Sequence, residues 1–353
     1  MSRFWSAGTR ALSPYVAGEQ PKTRMVKLNT NENPWPPSPK VAEAIAAELA
    51  KDELARYPDP QGMRLKEAIC RHYRDFDLTP EQVFVGNSSD EVLSVAFQAF
   101  FRQPAPLLLP EISYSFYPVW CALYGIDFET VPLRADFSVD VAAFAGRPAG
   151  GVALANPNAP TSLSLSLSEI EALAQAQPDA VVLIDEAYVD FGADSAVALL
   201  AKCPNLLVVQ TFSKSRALAG LRVGFALGSA ELVEGMERVK NCFNSYVLDR
   251  LAIAGAAAAI GDEAWFAQNR QKIIETRERL ADDLKARGFF VLPSKTNFLF
   301  ARPPAPQSAK TLAQNLRAKG VLVRHFDQPR IGDFLRITVG TPEECAALIA
   351  ALD

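Results

Sequence analysis

Residues 206–214 read Leu-Leu-Val-Val-Gln-Thr-Phe-Ser-Lys, an apolar run that gives way to hydroxyl side chains and a lysine. The length and β-branched character of the run predict a buried strand that ends close to Lys214. Open α/β sheets bind ligands at the carboxyl ends of their strands, and a lysine in a partly dry pocket loses its proton easily and attacks carbonyl groups. Most lysines are solvated, which is the alternative here. The neighbouring strands therefore decide whether Lys214 is functional.

Strand-like apolar runs alternate with helical patterns around this stretch, which predicts an α/β fold with a mostly parallel sheet flanked by helices. Seven strands are expected, over residues 82–85, 106–109, 127–131, 151–155, 180–184, 206–210 and 223–227. Two helix starts are also marked in the sequence. Ser38 precedes Pro39 as a cap, and Ser168 with Glu171 has the spacing of a capping box.

The pattern changes after residue 230 and predicts a second, smaller α+β domain. Helices are expected over residues 230–255, 262–288, 307–319 and 342–352, and strands over 289–292, 297–301, 321–324 and 334–338. We place the large domain at 38–255 and the small C-terminal domain at 256–353. Residues 1–37, rich in Pro and Asn, are expected to form an N-terminal arm or part of the small domain, ordered by a partner surface rather than by itself.

The composition excludes several classes of protein. A chain of 353 residues favours two domains, and a net charge of -4 without blocks of like charge argues against nucleic acid or a membrane as partner. Five scattered cysteines are typical of a reduced, cytoplasmic protein, and neither a signal peptide nor a spanning segment is apparent. The two histidines, His72 and His325, lie far apart, so a metal site is not expected.

Three polar side chains follow other strands of the predicted sheet. Asp185 and Tyr188 come after the strand at 180–184, and Asn156 opens the turn after the strand at 151–155. A buried aspartate needs a cation or donors, and a protonated pyridine nitrogen would be such a partner and would keep the ring an electron sink. The phenol and the amide can bond an oxygen on the same ring. Helix capping by Asp185 and an ordinary turn at Asn156 are the alternatives.

A phosphate site is predicted beside Lys214. Residues 86–91, Gly-Asn-Ser-Ser-Asp-Glu, lead from a strand into a helix, and free backbone N–H groups at such a turn attract anions. Ordinary capping by a serine is the alternative for this motif alone. Thr211, Ser213 and Arg222 add two hydroxyls and a guanidinium, which complete a site for a phosphate group.

Tyr114 follows a further strand and offers a flat aromatic face to a planar ring, although a core tyrosine is an equal alternative. Each of these signals is modest by itself. Together, an aspartate for a ring nitrogen, donors for a ring oxygen, a phosphate site and a Schiff-base lysine specify pyridoxal 5'-phosphate (PLP) as the cofactor.

The order and spacing of several motifs resemble those of a known family over nearly the whole chain. They are residues 28–34 (Leu-Asn-Thr-Asn-Glu-Asn-Pro), 56–58 (Arg-Tyr-Pro), 86–91, 156–158 (Asn-Pro-Asn), 185–188 (Asp-Glu-Ala-Tyr), 211–214 (Thr-Phe-Ser-Lys), 219–222 (Ala-Gly-Leu-Arg) and 335–340 (Leu-Arg-Ile-Thr-Val-Gly). The family is that of the fold-type I PLP-dependent aminotransferases, and the histidinol-phosphate aminotransferase branch is the most similar. The resemblance implies the fold of a fold-type I transferase.

The resemblance also implies roles for the matching residues. Lys214 would form the Schiff base with PLP, Asp185 would pair with the pyridine nitrogen, Asn156 and Tyr188 would hold the ring hydroxyl, and Tyr114 would stack on the ring. The cofactor phosphate would lie among Ser89, Asp90, Thr211, Ser213 and Arg222, with Tyr57 reaching over from the second subunit of a homodimer.

The substrate end of the site is implied in the same way. Arg336 would bind the carboxylate of glutamate, while Arg324, Tyr15, Asn29 and Asn31 would shape the region for the substrate's phosphate or imidazole. The implied reaction is ping-pong transamination between histidinol phosphate and 2-oxoglutarate, which yields imidazole acetol phosphate and glutamate in histidine biosynthesis. An aromatic-amino-acid aminotransferase, a threonine-phosphate decarboxylase and a non-catalytic binding module are the alternatives.

Three features depart from the family pattern or lie outside it. The turn that begins at Asn156 reads Asn-Pro-Asn-Ala-Pro-Thr-Ser, where the family commonly has Asn-Pro-Asn-Asn-Pro-Thr-Gly. Arg216 adds a charge near Lys214 in a direction that the sequence does not give. His325 either touches substrate or faces solvent, and ordinary histidine placement favours solvent.

Overall fold

The computed structural model describes residues 2–353, which form two sheets with helices around them. The strands are β1 (Val26–Leu28), β2 (Val83–Asn87), β3 (Leu107–Pro110), β4 (Phe128–Val131), β5 (Gly151–Ala155), β6 (Val182–Asp185), β7 (Leu206–Thr211), β8 (Val223–Leu227), β9 (Phe290–Val291), β10 (Phe298–Arg302), β11 (Val321–His325) and β12 (Leu335–Thr338). The helices are α1 (Ala7–Ala11), α2 (Pro39–Leu49), α3 (Met63–His72), α4 (Ser88–Phe100), α5 (Tyr117–Tyr124), α6 (Val141–Ala145), α7 (Leu167–Ala176), α8 (Ala230–Phe243), α9 (Arg250–Gly261), α10 (Glu263–Ala286), α11 (Ala309–Ala318) and α12 (Pro342–Leu352).

The larger sheet has seven strands in the order β2-β8-β7-β6-β5-β3-β4, and each predicted strand of this region is present. All pairs are parallel except those of β8, which runs antiparallel to both β2 and β7. Every residue of β3, β5, β6, β7 and β8 is buried, which explains their nearly continuous apolar sequences.

Helices cover both faces of this sheet, as predicted. Alternate strand residues point to opposite faces, so Leu108 packs in one core cluster while Leu107 and Leu109 pack in the other. Val41 of α2 and Ile69 of α3 belong to the first cluster. The second contains residues of α4, α5 and α8. The mostly parallel seven-stranded α/β sheet is therefore confirmed.

The smaller sheet has five strands in the order β1-β11-β12-β10-β9. Its four C-terminal strands match the predicted ones, and its separate core includes Leu299, Leu316 and Leu348. The first strand was not predicted, because Val26–Leu28 is too short to stand out in the sequence. It pairs in parallel with Val321–Val323 of β11. The expectation that a partner orders the N-terminal arm is therefore wrong for these residues, which the chain's own sheet orders.

Two local predictions about helices are corrected. The helix expected over 230–255 is two helices, because α8 ends at Phe243 and Asp249 caps the start of α9 by accepting hydrogen bonds from the backbone N–H groups of Leu251 and Ala252. The capping box of α7 is Ser166 with Glu169, two residues before the predicted pair. Both registers have the same Ser-x-x-Glu spacing, which is why the sequence does not separate them. The cap of α2 by Ser38 is confirmed.

The proposed boundary between residues 255 and 256 falls within α9, which packs on α2 and α3 of the larger unit. We keep the division into a large and a small domain as a proposal. No helix formed by residues 2–353 combines the length and the apolar character needed to cross a bilayer.

Candidate active site

A cavity of about 340 Å³ lies between the two sheets, at the carboxyl edge of the larger one. The ends of β5, β6 and β7 supply Ala155, Asp185 and Thr211, while β11 and β12 of the smaller sheet supply Arg324 and Arg336. Of the site residues expected from the sequence, all but Asn156 and Tyr57 line this cavity. The topology explains this convergence, because the carboxyl ends of parallel strands share one edge.

Lys214 is half-buried and lines the cavity three residues after β7 ends. Its Nζ lies 3.4 Å from the carbonyl oxygen of Thr30 and 5.9 Å from the ring centroid of Tyr188. The backbone of this turn is clamped from outside, because the Asn33 side-chain amide donates to the carbonyls of Lys214 (2.9 Å) and Ser215 (3.2 Å). The amine is thus presented on a fixed backbone.

Asp185 ends β6 and is only 4% exposed. Its carboxylate accepts hydrogen bonds from the Tyr117 hydroxyl (2.8 Å) and the Ala187 backbone N–H (3.1 Å). Burial raises the pKa of Asp185 to about 6, although these two bonds oppose that shift. The helix-capping alternative does not hold, because the carboxylate faces a tyrosine and the cavity and no helix starts at this residue.

The two side chains expected to hold a ring oxygen, those of Tyr188 and Asn156, differ in their position relative to the cavity. The Tyr188 hydroxyl lines the cavity and accepts from the Asn31 side-chain amide at 2.9 Å. Asn156 is 1% exposed, and its Oδ1 accepts from the Leu165 N–H at 2.7 Å. Its Nδ2 is buried without a hydrogen-bond partner. An unsatisfied buried donor costs roughly 1–3 kcal/mol, so a ligand oxygen beside it would be stabilising.

The residues of the predicted anion site come together at the start of α4. The Arg222 guanidinium donates to Asp90 Oδ2 at 3.0 Å, and the Tyr114 hydroxyl donates to Asp90 Oδ1 at 3.0 Å. Burial and the neighbouring Asp90 carboxylate raise the pKa of Tyr114 above its ordinary value. Ser89 and Ser213 line the cavity beside them.

Strand β8 makes room for this turn through Gly224. A Cβ atom on that residue would lie 2.3 Å from the backbone nitrogen of Ser89, which is impossible without displacing the helix start. The Ser88 N–H also donates to the Arg222 carbonyl at 2.8 Å. A backbone hydrogen bond therefore holds the start of α4 next to Arg222.

The two arginines of the smaller sheet stand at the opposite end of the cavity. Arg324 and Arg336 are register partners on β11 and β12. Arg336 donates to the Asn29 carbonyl at 2.8 Å, its Nε is buried without a partner, and burial lowers its pKa. Tyr15 stacks on Phe116 at 4.7 Å between ring centroids and closes one side. Two guanidiniums with free donors favour a dianion or a carboxylate here.

Residues 23–352 match the family model described as aminotransferase class I and II. The chain belongs to the class I and II aminotransferases.

Two relatives match this aminotransferase over almost their whole length, and the solved structure of another protein matches it in fold. It is 57% identical to histidinol-phosphate aminotransferase 1 of Pseudomonas aeruginosa and 58% identical to the protein of the same name from Bradyrhizobium diazoefficiens, with 100% of this chain and 99% of each relative covered. A crystal structure of histidinol-phosphate aminotransferase from Sinorhizobium meliloti in complex with pyridoxal-5'-phosphate is 26% identical, with a TM-score of 0.88 over 100% of this chain and 97% of that one.

Besides Asn156, three residues singled out in the sequence of this aminotransferase do not line the cavity. Tyr57 is 78% exposed and stacks on Tyr246, with ring centroids 4.5 Å apart. Arg216 does not reach the cavity, because it donates to the Ala259 carbonyl at 3.2 Å and its guanidinium carbon lies 3.5 Å from the Phe266 ring centroid. His325 lies 2.8 Å from the carbonyl of Gly332 in the next loop, so it neither lines the cavity nor simply faces solvent.

Sequence reasoning missed several residues that support the site. Tyr117 holds Asp185, and its spacing of three residues from Tyr114 was a usable signal. Asn33 was noted only as part of a motif, yet it clamps the turn of Lys214. The loop after β11 contributes three cavity residues that no sequence pattern marked, namely Phe326, Gln328 and Ile331.

The arrangement has two chemically distinct halves. One combines an amine at Lys214, a buried carboxylate at Asp185 and an anion site at Arg222, which suits a planar cofactor bearing a phosphate. The other combines the cations of Arg324 and Arg336 with aromatic walls, which suits an anionic substrate. Lys214 reaches the space between the halves, where a proton can be moved.

Proposed function

We propose that this chain is a PLP-dependent aminotransferase that transfers the amino group of histidinol phosphate to 2-oxoglutarate, giving imidazole acetol phosphate and glutamate. The relatives that cover the whole chain at 57% and 58% identity carry the name of this activity. The observation that carries the proposal is the pair Arg324 and Arg336, which lines the same cavity as Lys214. Two adjacent guanidiniums can bind either a phosphate or a carboxylate, so one site serves both half-reactions.

The residues present fit PLP in three respects. Asp185 is a buried carboxylate without a cationic partner, and a pyridinium N–H would lower its raised pKa and keep it ionised. The unpartnered Nδ2 of Asn156, together with the Tyr188 hydroxyl, would hold a ring oxygen. The start of α4 with Arg222 would hold the phosphate, and Tyr114 would cover the ring.

Bound PLP supplies an electron-withdrawing ring that makes the proton on the amine-bearing carbon of the substrate acidic. Lys214 would hold the cofactor through Nζ and, once released, take that proton as general base and later return it as general acid. Arg336 and Arg324 orient the substrate by its anionic group. Tyr15 and Phe326 exclude water from the same end.

The proposal includes a homodimer in which Tyr57 completes the partner's phosphate site. Tyr57 does not line the cavity of its own subunit. Leu54, three residues before it, and Tyr246, which stacks on it, are also exposed, as is Phe243, three residues before Tyr246. Such exposed apolar groups favour association. The five cysteines are all unpaired, which supports a cytoplasmic location.

A panel of single half-reactions tests the function. The PLP-loaded protein is mixed with histidinol phosphate, phenylalanine or phosphothreonine, and the visible absorbance of the cofactor and the released products are followed. We expect histidinol phosphate to discharge the absorbance fastest and to yield its oxo product. Faster reaction with phenylalanine would favour an aromatic aminotransferase, and carbon dioxide from phosphothreonine would favour a decarboxylase. Unchanged turnover by Lys214→Ala would contradict the whole scheme.

A further inference from the structure

The loop between β11 and β12, residues 326–334, closes the substrate end of the cavity, and we call it the closing loop. Phe326, Gln328 and Ile331 of this loop line the cavity. Within the loop, the Gly332 N–H donates to the Gln328 carbonyl at 2.9 Å. The closing loop thus belongs to the small sheet but forms a wall of the site.

Arg330 turns outward from this loop and contacts the larger domain. Its guanidinium forms an ion pair with Glu111 and donates to the carbonyls of Leu133 (3.1 Å) and Arg134 (2.7 Å). It also lies over the ring of Phe137, at 5.2 Å from the centroid. One side chain therefore joins the closing loop to four residues of the opposite domain.

Glu111, which accepts from Arg330, is held by hydrogen bonds of its own and lies close in sequence to residues that line the cavity. Glu111 follows β3, and its backbone N–H donates to the Val131 carbonyl at 3.0 Å. Its Oε1 also accepts from the Leu133 N–H at 2.9 Å. Ser113 and Tyr114, two and three residues further on, line the cavity. A displacement of Glu111 would therefore also displace the turn that carries Tyr114.

The backbone of Arg330 supports the same interpretation. Its φ of +66° lies in the left-handed region, which is unfavourable for a residue with a side chain. The side chains of Arg330 and Glu111 are 33% and 27% exposed, so the ion pair alone is screened by solvent. The two additional backbone acceptors make the contact multidentate, and a planar guanidinium is suited to such a set.

We propose that Arg330 is a positioning residue that latches the closing loop onto Glu111 and the 133–134 backbone, and so holds Phe326, Gln328 and Ile331 over the bound substrate. The inference rests on the proposed function of the same cavity. Arg330 itself does not line the cavity, so it acts through the loop and not on the substrate. The population of the closed loop then sets the apparent affinity for the amine.

Steady-state kinetics of the PLP-loaded protein test the latch. Arg330→Gln should raise KM for the amine about three- to tenfold by depopulating the closed loop, with kcat changed less than about twofold. Glu111→Gln should raise KM by less, because the backbone acceptors at 133 and 134 remain. The double variant should match Arg330→Gln, because the Glu111 change removes part of the same contact. The control is Arg134→Gln, whose side chain pairs with Asp140 at 3.0 Å and takes no part in the latch. It should behave as wild type.

Hydrogen exchange separates positioning from general destabilisation. Peptides covering residues 326–334 should exchange faster in Arg330→Gln and Glu111→Gln, while cofactor absorbance, PLP affinity and Tm stay at wild-type values. The proposal is overturned if Arg330→Gln changes neither KM nor loop exchange, if Glu111→Gln adds its own full effect to that of Arg330→Gln, or if PLP affinity and Tm fall together with KM. Exchange is measured without substrate. A wild-type protein inactive on histidinol phosphate would thus refute the proposed function and still leave the latch testable.

Discussion

The hydroxyl of Tyr117 donates a 2.8 Å hydrogen bond to the carboxylate of Asp185, although 68 positions separate the two residues in the chain. Tyr117 begins α5 and is 1% exposed, while Asp185 ends β6. The bond stabilises the ionised carboxylate against the effect of burial, which on balance raises its pKa to about 6. The electrostatic state of the proposed cofactor partner thus depends on a residue outside the cavity.

Tyr117→Phe should weaken PLP binding and lower kcat/KM by about tenfold each, because a hydrogen bond to a charged group is lost while the ring still fills its space. PLP titration and steady-state kinetics measure both. Tyr124→Phe is the matched control, since Tyr124 lies on the same helix and bonds to Ser94 away from the cavity. Equal effects of the two variants would contradict a specific role for the bond.

Asp185→Asn should change how the stability of the PLP-free protein depends on pH. The folded-state pKa of about 6 lies above the ordinary 3.8, so the stability that protonated Asp185 contributes is present at low pH and lost as pH rises through 6. Between about pH 4 and pH 7 the wild type should therefore lose about 2 kcal/mol relative to the asparagine variant. Urea unfolding at several pH values measures the difference. A difference independent of pH would refute the buried ionised carboxylate.

Gly224→Ala should abolish tight PLP binding. A Cβ at this position would meet the Ser89 nitrogen at 2.3 Å and push the start of α4 away from β8. Gly220→Ala is the control, because nothing lies within 4 Å of its added Cβ and it lies in the connection just before β8. We expect PLP affinity to fall at least about tenfold for the first variant only, since charge-assisted bonds at the helix start depend on its position. A titration with PLP, followed by fluorescence or absorbance, measures this affinity.

Mixing two impaired variants tests the shared site. Lys214→Ala should be inactive and Tyr57→Ala should bind PLP weakly. In a hybrid of the two, one site would combine an intact Lys214 with an intact Tyr57. After subunit exchange of equal amounts, about a quarter of the sites should be native, as expected for a twofold dimer. Activity that stays at the sum of the separate variants would show that Tyr57 does not cross to a partner.

The sequence predicted the central parts of the site because their positions follow from strand periodicity. Lys214, Asp185 and Thr211 each stand at or just after the end of a buried run, and parallel strands bring such ends to one edge. The roles of Arg324 and Arg336 were predicted only from the family resemblance, because their pairing depends on the register of β11 with β12. Short strands with mixed burial carry little periodic signal.

Contacts between distant segments were beyond the reach of the sequence. The Tyr117 bond, the Asn33 clamp and the Arg330 latch each join residues whose proximity is a result of the complete fold. The sequence also did not determine the direction of the Arg216 side chain, because a long side chain after a turn can point either into the cavity or toward the neighbouring helices. Packing against Phe266 decides it.

The reversed strand β8 has a consequence for how this enzyme can change over time. Since β8 runs opposite to β7, the connection from Thr211 to Val223 leaves and re-enters the sheet at one edge, and it carries both Lys214 and Arg222. A crossover connection elsewhere in the sheet can be lengthened at the protein surface without changing the distance between two residues that contact the ligand. An insertion between Lys214 and Arg222 would alter their separation directly. We therefore expect this connection to tolerate substitutions but not changes of length.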